Sequence, residues 1–388
     1  MLETPIPCLI LDGGLGTTIE ELDEQVTHHP LWSGKLLHDN PELLVDTHLR
    51  FLEAGADVIE TATYQSCLPT FVRAGYEQEE AQASILSAIT LAEEAIRRFE
   101  QSSGTHRRPL VALSLGPYGA QITQEYGGIY PPPYGPSIGA NILPAPETSF
   151  ASPEEEVLAE LALTQWHFDR LLLFATSPSH WNSISYIAFE TIPLLREGRA
   201  IRRAMTRLRP MAEARGLIWP KWWISFVFPE GKFPEVKTSG EPILPQDIAN
   251  AMFDAEDERR NILIPDGIGA NCTKLQFLKP IIIGYGEGLH RSSKGRPPEL
   301  VLYPDGGYHY DTNEGAWQAP HLNRDGTERR ADGVLEPWAR SVARIGAWGA
   351  QMTYAGRPMW SALIVGGCCK TLPLDIAALK REYGNHVY

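Results

Sequence analysis

Cysteine is scarce in this chain, five in 388 residues, and the number is odd. A secreted fold stapled by disulfides carries more of them, evenly paired, so the composition excludes that class and points to a reducing compartment. Positive charge is also short. Against 48 Asp and Glu stand 34 Lys and Arg, a formal net charge of -14. This excludes the clustered cationic surface that general binding to nucleic acid or an anionic membrane requires. Long apolar runs are missing too: nothing approaches the roughly 18 residues of a membrane span. The start Met1-Leu2-Glu3-Thr4-Pro5 lacks the basic-then-apolar order of a secretory signal. The expectation is a soluble, cytoplasmic protein whose partners are small molecules, with no nucleic acid and no membrane.

What the chain does have is 43% hydrophobic residues, enough for a large core in two domains or in one barrel with insertions. Short apolar runs recur at 8–11, 57–62, 110–115, 185–189, 222–228, 264–270, 300–303 and 362–365. Between them lie segments with helical spacing, clearest at 41–54, 79–99, 153–176, 194–215 and 374–383. In the second of these, Ala83, Leu86, Ile89, Ala92 and Ile96 recur at three- and four-residue steps, which gives one face for packing on a sheet. Such alternation predicts parallel strands with crossover helices. Eight units predict an α/β fold of the (β/α)8 TIM barrel type, one domain over residues 1–388, with functional residues at the C-terminal strand ends. An open doubly wound sheet is the alternative, because the pattern does not show closure. The connections 127–152, 229–248 and 284–298 are long and rich in Gly, Pro or polar residues, and read as ordered loops or insertions at the barrel mouth.

Two of the five cysteines, Cys8 and Cys67, sit in apolar surroundings and read as buried small hydrophobes. The other three end strands. Gly269-Ala270-Asn271-Cys272 closes the sixth apolar run and Gly366-Gly367-Cys368-Cys369 the eighth, so a barrel gathers three sulfurs around one mouth. Three thiolates with an open fourth position describe a catalytic zinc site, and the preceding glycines let the backbone approach closely. The competing readings of Cys368-Cys369 are burial as packing residues or a vicinal disulfide; the third cysteine at a matching strand end favours metal.

Several further segments, Leu11-Asp12-Gly13-Gly14-Leu15-Gly16-Thr17, His29-Pro30-Leu31-Trp32-Ser33, Thr61-Ala62-Thr63-Tyr64-Gln65, Ser114-Leu115-Gly116-Pro117-Tyr118-Gly119-Ala120 and Phe189-Glu190-Thr191-Ile192-Pro193, join the two cysteine segments in one pattern. With them the chain resembles the zinc-dependent homocysteine S-methyltransferases over nearly its whole length, nearest the fungal and plant-type branch that uses S-methylmethionine or S-adenosylmethionine. The resemblance implies a (β/α)8 barrel and Zn2+ held by Cys272, Cys368 and Cys369. It implies that Asp12 and Glu190 contact the homocysteine amine, a role for which carboxylates suit an ammonium group. The activity it implies is transfer of a methyl group from a sulfonium donor to the homocysteine sulfur, giving methionine. Alternatives are a catalytically silent homocysteine- or zinc-binding barrel and a betaine-type donor.

Around that frame, the backbone N–H groups near Gly13 and Gly14 are expected to complete the homocysteine site, although Gly-Gly-x-Gly alone is a weak signal and lacks the ending of a phosphate loop. Asn271 is expected to orient the metal site by hydrogen bonding rather than as a ligand. Trp32, Tyr64 and Tyr118 are the candidates for aromatic contact with a sulfonium cation. His28, His29 and His38 match no usual ligand spacing and read as loop or surface residues. The run Glu154-Glu155-Glu156 after Ser152-Pro153 reads as a helix start. The segment Tyr303-Pro304-Asp305-Gly306-Gly307-Tyr308-His309-Tyr310-Asp311 departs from the family's usual residues at Asp305, Gly306 and Tyr308. With the segment around Pro131-Pro132-Pro133, it leaves the donor's identity open.

Overall fold

The computed structural model describes residues 5–23, 26, 29–104, 107–122, 125–137, 150, 152–237, 239–254, 257, 260–292, 296–307, 309–311, 316–318 and 338–384. All eight expected strands form: β1 (Cys8–Ile10), β2 (Val58–Glu60), β3 (Leu110–Leu115), β4 (Tyr186–Ile192), β5 (Lys221–Phe226), β6 (Gly267–Asn271), β7 (Glu299–Tyr303) and β8 (Leu363–Val365). They pair in parallel, each with its neighbour in sequence, and β8 returns to β1. The last gap is bridged by Leu11 and Val58, where Asp12 N–H donates to Val58 O at 3.0 Å and Asp57 N–H to Ile10 O at 2.7 Å. That bridge makes the sheet a barrel and rules out the open doubly wound alternative.

The period-two alternation of a strand separates two cores. Leu11, Val58, Ala112, Ala188, Val301 and Ile364 fill the barrel interior. Their sequence neighbours Ile10, Ile59, Leu113, Phe189, Leu302 and Val365 pack outward on the helices. The helices of the sequence reading appear as Pro41–Glu53, Gln78–Ser103, Pro153–Ala175, Leu195–Ala214 and Pro373–Tyr383. Pro41 follows Asn40, whose side chain accepts from Leu43 N–H at 3.3 Å. Ser152 caps Glu155 N–H at 3.3 Å, so the acidic run does open a helix.

Two connections differ from expectation. Residues 284–292, read as loop, belong to the helix Leu275–Ser292, and the end of 229–248 lies in the helix Pro245–Met252. The glycines that suggested a loop serve close helix packing instead. A Cβ on Gly284 would lie 2.8 Å from Pro245 Cβ, and one on Gly288 2.4 Å from Gln246 O. Small residues four apart leave the groove that lets the two backbones approach. Among the described residues, no helix is long and apolar enough to cross a membrane.

Candidate active site

At the C-terminal mouth, Cys272 follows β6 directly and Cys368-Cys369 follow β8 by two glycines. Their sulfurs lie within 4.8 Å of one another, the one metal-capable group of its kind among the described residues. Cys272 and Cys368 are paired as a disulfide with Cα atoms 5.5 Å apart. The vicinal alternative is not what forms: Cys369 Sγ stands 4.0 Å from Cys368 Sγ and 3.8 Å from Cys272 Sγ. Those two separations match the edge of a tetrahedron of sulfurs about 2.3 Å from a central zinc, roughly 3.8 Å. Reduction of the one bonded pair therefore leaves three thiols placed to share an ion. Burial pushes the Cys369 thiol up to about 12, so it keeps its proton unless a cation stands beside it. Cys8 and Cys67 are buried away from this group.

The backbone around the sulfurs is unusual. Cys272 and Thr191 both adopt left-handed φ values, 45° and 60°, a region that costs a β-branched residue dearly and is kept only where neighbours enforce it. At Thr191 the enforcing neighbour is Asn271, fully buried. Its Oδ1 accepts from Thr191 N–H at 2.8 Å, and its Nδ2 donates to Thr191 Oγ1 at 2.7 Å and faces Cys368 Sγ at 3.8 Å. A bulge feeds this contact: Phe189 pairs with Ile224 but Ile192 with Phe226, so β4 carries an extra residue where Glu190 and Thr191 leave the sheet. Gly13 and Gly14 press the loop after β1 against the cysteine loop. Added Cβ atoms would lie 2.5 Å from Thr371 O and 2.6 Å from Cys368 O. The Gly14 N–H is already donated to Thr371, so its part here is packing rather than a free donor.

Beside the sulfurs lies an acidic floor. Asp12 is fully buried, and its Oδ2 accepts from Glu60 N–H at 2.9 Å while Oδ1 has no partner. Burial raises its pKa well above the carboxylate range. Glu190 Oε1 accepts the Ser114 hydroxyl; burial raises this acid to about 7, against the opposing effects of Ser114 and Arg170. A third acid, Glu60, was not foreseen. It ends β2, is buried, leaves Oε1 without a partner and is raised by burial and then by the charges of Glu190 and Asp12. The available signal was an acid closing the apolar run Val58-Ile59-Glu60.

Of the aromatic candidates, Trp32 and Tyr64 meet edge to face at 6.4 Å, and Tyr64 lies in the field of Glu125, Glu190 and Cys369. Trp32 is held by its Nε1 donating to Glu20 at 2.9 Å. Tyr126, also unforeseen, brings its hydroxyl to 3.9 Å from Cys369 Sγ. Tyr118 sits elsewhere: its ring stacks on Tyr134 at 4.0 Å and meets Tyr130 and Trp166. Its N–H is tied to Glu197 at 2.7 Å, so it fastens the proline-rich segment to the barrel. The departing segment 303–311 touches the cysteine loop directly, with Cys368 N–H donating to Pro304 O and Gly306 N–H to Cys369 O, both at 2.8 Å. Tyr308 lies outside the described residues, as does His28. His29 Nδ1 accepts from Leu31 N–H at 3.2 Å and His38 meets Glu80 at 3.4 Å, loop and surface roles as expected.

Three cysteine sulfurs and three buried acids at the C-terminal mouth of a parallel eight-stranded barrel define an enzyme of the barrel class, with its chemistry where that fold places it. The family model for homocysteine S-methyltransferase matches residues 9–383, and the chain belongs to that family. It is thus a methyltransferase working on small-molecule substrates. Homocysteine S-methyltransferase 4 of Zea mays is 30% identical over 96% of this chain and 89% of its own. Betaine-homocysteine S-methyltransferase of Drosophila melanogaster is 26% identical over 97% and 94%. The metallated form of the homocysteine methyltransferase MmuM from Escherichia coli shares the fold, with a TM-score of 0.62, 23% identity and coverage of 97% and 96%.

Proposed function

We propose that this chain methylates homocysteine to methionine with a sulfonium donor, S-methylmethionine or S-adenosylmethionine, and that its reduced thiols Cys272, Cys368 and Cys369 hold zinc. The observation that carries the reading is the three sulfurs within 4.8 Å of one another at the same barrel mouth as the buried acids Asp12 and Glu190. Zinc held there supplies acidification of a thiol, since coordination strips the proton at neutral pH.

The chain's own residues do the rest. Asp12 and Glu190 bind the homocysteine ammonium, whose charge offsets the desolvation of both carboxylates. Asn271 keeps the ends of β4 and β6 in register, and the Gly13-Gly14 turn keeps the cysteine loop against Asp12. Trp32 and Tyr64, with Tyr126, give the donor cation aromatic faces, an attraction of roughly 0.5 to 2 kcal/mol. The homocysteine sulfur then forms a bond to the donor methyl carbon as the donor's S–CH3 bond breaks. That electron pair stays on the donor sulfur, which leaves neutral. Alignment of sulfur, methyl and leaving group is the protein's main contribution to rate.

A betaine-type donor is the second reading, since one relative is named for it and an aromatic wall suits a quaternary ammonium equally. A donor panel decides: reduced, zinc-loaded protein with homocysteine and S-methylmethionine, S-adenosylmethionine or betaine, assayed for methionine. Turnover with a sulfonium supports the proposal. Turnover with betaine alone replaces the donor, and no methionine from any donor leaves a silent binding barrel.

A further inference from the structure

Two carboxylates already serve the ammonium in the reading above, yet the floor of the site holds three. Glu60 lies on the same side of β2 as Val58, two residues earlier, and Val58 packs inside the barrel. Its backbone N–H is bound by Asp12 Oδ2 at 2.9 Å, which fixes the two acids side by side at the ends of β1 and β2. One oxygen of each, Asp12 Oδ1 and Glu60 Oε1, is buried without a hydrogen-bond partner, and Glu60 is only 8% exposed. Such orphaned acceptors are costly unless a ligand supplies the donor.

The protein itself does not supply one. Among the described residues, no lysine, arginine or histidine forms an ion pair with Asp12, Glu60 or Glu190. The buried cation whose charge reaches Glu190, Arg170, spends its guanidinium on the carbonyls of Gly116, Thr63, Tyr64 and Ser66. The interior cluster that holds Leu11 and Val58 also touches Cys368, and Gly367 N–H donates to Asp12 O at 3.0 Å, so the acids that follow those strands and the cysteine loop share one end of the barrel.

We infer that Glu60 is a third carboxylate of the ammonium subsite and makes the site selective for a thiol substrate that carries a protonated α-amine. This rests on the homocysteine reading above. An α-ammonium has three N–H donors, one for each acid, and a ligand lacking it leaves Asp12 Oδ1 and Glu60 Oε1 without a donor. Glu60 positions and selects; it does not touch the reacting sulfur.

The test pairs a residue with a ligand group. Calorimetric dissociation constants are measured on zinc-loaded protein for homocysteine and for 4-mercaptobutanoate, which keeps the thiol and carboxylate but replaces the amine by hydrogen. Glu60→Gln is expected to weaken homocysteine by on the order of tenfold, the scale of one charge-assisted contact, with 4-mercaptobutanoate shifting less than about twofold or binding tighter. Glu60→Asp, which keeps the charge, should recover part of the homocysteine affinity, and it carries the same comparison if the Gln variant does not fold. Equal weakening of both ligands, or unchanged homocysteine binding, overturns the inference. Wild-type protein that binds no homocysteine overturns the underlying reading instead, so the two failures are distinct.

Discussion

Asn271 grips Thr191 twice, accepting from its backbone N–H at 2.8 Å and donating to its hydroxyl at 2.7 Å. One side chain thereby holds a left-handed threonine at the end of β4 and faces a sulfur on the loop after β8. Replacing Asn271 with Ala leaves the buried Thr191 N–H unpaired, at a cost of about 2 kcal/mol. The expected outcome is lower stability in denaturant unfolding together with metal affinity reduced about 10- to 100-fold, the usual effect of losing a group that orients ligands. Metal affinity unchanged in a destabilised variant would show that the grip serves the fold alone.

Gly16 makes room for Trp32: a Cβ there would lie 2.2 Å from the indole ring. Gly16→Ala is expected to push the indole out of place and break its bond to Glu20, raising KM for a sulfonium donor about twofold to thirtyfold, as loss of one cation–aromatic contact implies. Zinc content and homocysteine affinity should hold. Steady-state kinetics with varied donor, beside metal analysis, checks it; an unchanged donor KM counts against Trp32 as donor wall.

Glu190 ties stability to pH. Burial lifts this acid from 4.5 to about 7, so the folded state without ligand favours the protonated form. That preference contributes fully below pH 4.5 and is lost as pH rises towards 7. Glu190→Gln keeps an acceptor for Ser114 and has no charge to bury. It should therefore leave stability near wild type at pH 4.5 and raise it at pH 8, by at most about 3 kcal/mol. Denaturant unfolding at both pH values measures this, and equal stability differences at the two would contradict it. The same variant should bind homocysteine more weakly with zinc retained.

The barrel was legible because its eight apolar runs carry the strand period and its helices the helical one. The cysteines were legible because each closes a run. Three features were not. Glu60 ends a three-residue strand, and an acid there reads the same whether it faces solvent or a cavity. The helix Leu275–Ser292 contains Pro280 and three glycines, which locally argue for a loop, while the gain from packing on Pro245–Met252 overrides them. The left-handed backbone at Thr191 has no signal in residue type, because it is imposed by a bulge and by Asn271. Tyr118 misled for a related reason: it follows a strand end, but the bond from its N–H to Glu197 turns it into the aromatic cluster of the insertion.

If thiol-held zinc activates homocysteine, turnover must follow the bound metal, and a comparison on a single protein preparation decides it. Methionine formation from homocysteine and S-methylmethionine is measured on reduced protein before chelation, after chelation and after zinc is restored, with bound zinc determined each time. About one zinc per chain is expected, as one three-thiol site requires, with activity lost and regained in step with it and Cys369→Ala lacking both. Reduced, metal-free protein that makes methionine at the full rate would contradict it.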